Sequence, residues 1–139
     1  MKCLVLLGRV LFSLIFVLSA PHHFSTGFAS YAASQGVPAA SLLAPLAGVL
    51  ALLGGLSVAL GYRAKAGAWL LVIFLVPVTL VIHKFWGITD PTAHQMQMIH
   101  FFKNLSMLGG ALLIAHFGSG PLSLDGLKES GAAEPAPKA

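Results

Sequence analysis

Four apolar runs divide this chain, each about long enough to cross a bilayer, with Gly, Pro, His and most of the charges collected between them. The pattern predicts membrane-spanning helices at about 3–20, 39–60, 66–83 and 96–117, hence an all-α integral membrane four-helix bundle occupying about residues 1–125. The fourth run opens on a helix-start signal. Thr89 or Asp90 can accept from a free N–H of the first turn, and Pro91 suits the first helical position. It also carries the polar residues that an apolar helix should lack. Gln97, His100 and Asn104 stand at i, i+3 and i+7, on one face, with Lys103 beside them. Polar side chains are costly in lipid, so this face is expected to meet other helices or a ligand.

The intervening stretches supply punctuation. The first run resembles a signal peptide, but Arg9 within it and Pro21 after it speak against cleavage, which leaves an uncleaved first span. Residues 21–38 read as a loop with a short interfacial helix near Phe28–Ala33. Small residues at four-residue spacing (Ala47, Ala51 and Gly55; Ser57 and Gly61; Ser106 and Gly110; Ala111 and Ala115) predict close packing through the second and fourth spans. Pro45 and Pro77 interrupt the second and third spans. Lys84-Phe85-Trp86-Gly87 reads as an aromatic interfacial belt, and 126–139 as a disordered cytoplasmic tail.

Composition agrees with a membrane setting. The 139 residues are 57% hydrophobic and only 9% charged, too little charge to cover a water-facing surface. The net charge of +4 comes from singly dispersed cations without a nucleic-acid motif, so no nucleic-acid partner is expected. The cations report orientation instead. With the N-terminus cytoplasmic, Lys2, Arg63, Lys65, Lys128 and Lys138 lie inside and only Lys84 lies outside, which places both termini in the cytoplasm. Cys3, the single cysteine, forbids an intrachain disulfide and reads as a buried, inert thiol.

Arg9 and Lys103 lie within spans, each about 9 Å deep from opposite faces, and no Asp or Glu lies in any span to pair with them. Cations of this kind either snorkel to the interface or meet water, an anion or an electron-rich group such as a quinone carbonyl. The candidate ligand-binding residues are therefore Arg9, Gln97, His100, Lys103 and Asn104, with no catalytic and no metal site assigned. Five of six histidines fall near the outer side, where two could face a haem iron, but no acidic residue supports a metal there and haem is not favoured over a quinone. No hydrolase or zinc motif occurs, so enzyme activity is left open.

Several segments across about residues 5–125 together resemble the DoxX family of small four-helix bacterial inner-membrane proteins. They are Gly8-Arg9; Leu53-Gly54-Gly55-Leu56 with Gly61 and Arg63; His83-Lys84-Phe85-Trp86; the stretch from Phe102 to Gly110; and the closing Gly118-Ser119-Gly120-Pro121-Leu122-Ser123-Leu124-Asp125. The chain departs from many members at Ala51, where they carry an acid. The resemblance implies a bacterial inner-membrane protein with a redox-accessory role, since the family takes its name from a subunit of a thiosulfate:quinone oxidoreductase. The expectation is thus an accessory subunit that binds a quinone or an anionic ligand and works with the lipid bilayer, a membrane redox partner protein and, as an open question, a second copy. The alternatives are a small transporter or lipid-binding protein, or an assembly factor without a ligand.

Overall fold

The computed structural model describes residues 1–132, most of them helical and none in a strand. Helix α1 (Lys2–Ser19) runs into a 3-10 turn (Ala20–Phe24), followed by the short α2 (Thr26–Ser34), then α3 (Ala40–Leu60) and α4 (Ala64–Pro77). A π-helical turn (Val78–Ile82) extends α4, and α5 (Pro91–Phe117) and α6 (Leu124–Ala132) complete the order. Four segments are long and apolar enough to cross a membrane: Lys2–Phe24, Ala40–Leu60, Ala64–Ile82 and Pro91–Phe117. Of these, α5 is the least apolar and the least covered by its neighbours.

Helix α3 lies between α1 and α4, and α5 packs against α4, with Phe12 of α1 reaching Gly110 of α5. The close approach comes from small residues. Ala40, Ala44, Gly48, Ala51, Gly55 and Val58 are buried along one stripe of α3, at spacings of three or four. On α4, a Cβ at Gly67 would collide with Ser57, so glycine there is what lets α3 and α4 touch. Phe16, Val58, Leu71, Phe74 and Leu75 fill the space between these backbones. The large side chains outside the stripe, such as Leu53, Ile73, Leu112 and Leu113, point outward, as suits a surface solvated by lipid.

Local chemistry sets the ends of the helices. Asp90 caps α5, its carboxylate accepting from the Ala93 N–H at 2.7 Å, ahead of Pro91. The Ser25 hydroxyl accepts from the Phe28 N–H at 3.1 Å and starts α2, which covers the interfacial helix expected near Phe28–Ala33. Gly61 ends α3 with φ +65°, a left-handed conformation that glycine adopts without strain. Pro77 has no N–H to give the turn before it, and the next five residues widen into the π turn, where the Thr79 hydroxyl donates to the Leu75 carbonyl at 2.6 Å.

Three local findings differ from the sequence reading. Cys3 is exposed, because it sits in the first turn of α1 with no neighbour over it. In α5 Ser106 points outward, and the buried positions facing the bundle are Asn104 and Ala111. Helix α6 occupies the beginning of the segment read as a tail, whose residues 133–139 lie outside the described residues.

Candidate functional site

The intramembrane polar residues fall into two groups at opposite ends of the bundle, about 30 Å apart along α5 at 1.5 Å per residue. Arg9 belongs to the end where the chain starts, α3 and α5 finish, and α4 begins. Its guanidinium donates to the carbonyls of Ala59 (Nε, 3.2 Å), Ser119 (Nη1, 2.6 Å) and Leu122 (Nη2, 2.8 Å), and the residue is only 5% exposed. The Gly118–Gly126 segment carries two of these acceptors and folds back over the α3–α4 turn. Asp125 donates its N–H to the Gly61 carbonyl at 2.8 Å, while its carboxylate accepts from the N–H groups of Arg63 (2.8 Å) and Ala64 (3.1 Å). Ser119 donates to Ser123, which donates to the Gly120 carbonyl. Burial pushes the Asp125 carboxyl up, but the backbone donors of Arg63 and Ala64, the Ser119 hydroxyl and the Lys128 cation together hold it below its usual range. Arg9 thus locks a latch.

The other end gathers Tyr31 of α2, His83 after the π turn, and Gln97, His100 and Lys103 of α5. His83 Nδ1 lies 2.9 Å from Gln97 Oε1, and Gln97 Nε2 donates to the Tyr31 hydroxyl at 3.4 Å. The His83 and His100 rings are 5.1 Å apart, and Lys103 Nζ is 3.3 Å from His100 Nδ1. Burial pushes the His83 imidazole below its ordinary value; Gln97 opposes this, while His100 and Lys103 reinforce it. Lys84 donates to the Gln35 carbonyl at 3.2 Å and ties the post-π loop to the end of α2. Asn104 is buried on the bundle-facing side of α5, one turn below His100.

An apolar cavity of about 310 Å³ lies at the same end of the bundle, lined by none of these polar side chains. Its lining includes Phe28, Ala32, Val37, Ala47, Pro77 and Ile82. Ala32 follows Tyr31, and Ile82 precedes His83, so the polar network and the cavity share two backbone segments. Together they offer donors and acceptors beside an apolar seat, a combination suited to holding an amphiphile. Among the described residues no three His, Cys, Asp or Glu side chains converge as metal ligands would.

Four of the five sequence candidates (Gln97, His100, Lys103 and Asn104) therefore share one region of α5, and Arg9 stands apart with backbone partners of its own. Sequence reasoning did not pair Tyr31 or His83 with Gln97. Those contacts join residues 66 and 14 positions apart, and no spacing rule reports them.

These features define a multi-pass membrane protein, with four helices among the described residues long and apolar enough to span. The SURF4 family model matches residues 2–130, and the chain belongs to the SURF4 family. It is similar to the inner membrane protein YphA of Escherichia coli, with 32% identity over 124 residues, 88% of each chain. It is also similar to the ER-derived vesicles protein ERV29 of Saccharomyces cerevisiae, 31% identical over 71 residues, 51% of this chain and 23% of that protein. The Surfeit locus protein 4 homolog of Schizosaccharomyces pombe is 32% identical over 73 residues, 52% and 24% respectively. The chain thus spans most of the bacterial relative and about a quarter of each of these two eukaryotic ones. No solved structure matches it.

The family match overturns the DoxX resemblance, and with it the reading as an accessory subunit of a redox system. The structure explains the error. Arg9, Gly54, Gly61 and the closing Ser123-Leu124-Asp125 serve the latch and the contact of α3 with α4, so they encode the shape of a small bundle.

Proposed function

We propose that the chain is a membrane-embedded lipid-binding protein that holds one amphiphile at the end of the bundle where α2, the π turn and α5 meet. The observation that carries this reading is the junction of the His83–Gln97–Tyr31 network with the apolar cavity. An acyl chain would occupy the cavity, and His100 and Lys103 would meet a polar head. We propose further that both termini are cytoplasmic, from the excess of Lys and Arg at their end of the bundle. The 88% overlap with an Escherichia coli inner membrane protein supports an inner-membrane location.

The test is native mass spectrometry of the protein released from mild detergent, with extraction of what it retains. Retained lipid should fall sharply on Ala47→Phe, which fills the cavity, and on Gln97→Leu, which opens the network. Unchanged retention in both variants would sink the assignment. A second reading rests on the relative named as a protein of ER-derived vesicles: the same face would hold a partner membrane protein. A stoichiometric protein that co-purifies with the chain and is lost on Lys103→Leu would favour it.

A further inference from the structure

The latch end carries a second concavity that the lipid reading does not use. Its volume is about 670 Å³, and it is lined by Arg63, Lys65 and Lys128, the carboxylate of Asp125, the glycine-rich turn after α5, and Phe117. Three side-chain cations therefore face one carboxylate. Asp125 is already engaged: its two oxygens accept from the N–H groups of Arg63 and Ala64, which fixes it at the start of α4. Lys128 Nζ stands 4.5 Å above the Tyr62 ring, and the stem of Lys65 lies against Gly118. Both lysines are exposed, but each is held over the concavity by what its stem or head touches. Phe117, 76% exposed, supplies an apolar wall beside the charges.

We propose that this concavity binds a phosphate group, with Arg63, Lys65 and Lys128 as its cationic partners. Two sources share that chemistry: the headgroup of an anionic phospholipid, whose chain would run along Phe117, and a soluble phosphate. The end of the bundle that holds most of the basic residues is the end where anionic headgroups attract them.

The experiment uses the full chain in a neutral mild detergent and reads dissociation constants by titration. The probes are phosphatidylglycerol, phosphatidylcholine and inorganic phosphate, against wild type, Lys65→Gln/Lys128→Gln and Lys2→Gln. The expected result is preference for phosphatidylglycerol over phosphatidylcholine, weakened roughly 30-fold in the double variant and little changed by Lys2→Gln. If inorganic phosphate alone binds, and binds more weakly to the double variant, the site stands and its ligand is soluble. Equal binding of both lipids without phosphate binding overturns the proposal, and so does a double variant that binds like wild type. An unliganded melting curve shows whether the double variant is folded; if it is not, Lys128→Gln alone is titrated and must weaken binding severalfold.

Discussion

The two ends of this bundle contain the same kind of anomaly, polar side chains in an apolar helix, and treat it in opposite ways. At the Arg9 end the acceptors are backbone carbonyls from the last turn of α3 and from the Gly118–Gly126 segment, so the cation and the chain that wraps it are fixed together. At the Gln97 end the partners are other side chains, His83 and Tyr31, each able to turn away and accept a different partner. A buried cation satisfied by backbone belongs to the fold, whereas a chain of side-chain contacts beside a cavity can exchange one of its members for a ligand.

The sharpest way to break this contrast is Arg9→Leu. It leaves the carbonyls of Ala59, Ser119 and Leu122 without their donor, at about 1–3 kcal/mol for each buried group. A large fall in melting temperature in detergent is expected, with new proteolytic cleavage between Gly118 and Gly126. A melting temperature like that of wild type would move Arg9 out of the latch.

Gly61→Ala comes next. Its φ of +65° and the nearness of Ser123 and the Arg9 guanidinium leave a Cβ no room, so a loss of roughly 1–3 kcal/mol and partial release of the same segment are expected. The measurement is again thermal unfolding, with cleavage as a second readout.

Asp125→Asn should cost about 1 kcal/mol, the usual worth of a lost capping carboxylate. Its sign with pH follows from the lowered folded value. The contribution is fully present above the ordinary carboxylate pKa of 3.8 and is lost as pH falls through the lower folded value. Wild type should therefore lose stability in acid more steeply than the variant, as melting curves at pH 3 and pH 6 would measure.

The smallest effect is expected at the open end. His83 is held below its ordinary value, so its contribution is fully present above the unfolded value of 6.5 and fades as pH falls through the folded one. His83→Gln should flatten the stability profile below pH 6.5 by well under the cost of Arg9→Leu. A profile that keeps its slope would show that another group titrates there.

Much of the fold was legible because bilayer thickness and apolar run length constrain each other. The cap at Asp90 and Pro91 could also be named from two residues. The site was half legible. Gln97, His100, Lys103 and Asn104 announce themselves as polar positions on one apolar helix, but the same signal at Arg9 led elsewhere, because its three acceptors are carbonyls supplied by residues up to 113 positions away. A backbone carbonyl has no residue type, so no sequence pattern could reveal that Arg9 was already satisfied. The family resemblance misled for a related reason: glycines and serines that close a latch report how the helices are arranged, and many sequences can share such an arrangement.

Helix α5 has 27 residues and so measures about 40 Å, some 10 Å more than the hydrocarbon thickness of an ordinary bilayer. The excess makes the first turns of α5 a depth gauge. In a thin membrane the Gln97–Lys103 stretch stands at the headgroup level, with water at hand for the ammonium and imidazoles. A thicker, sterol-rich membrane draws the same residues toward hydrocarbon unless α5 tilts or a ligand neutralises them. Hydrophobic mismatch would then sort the protein among membranes of different thickness, through the same side chains that form its open end.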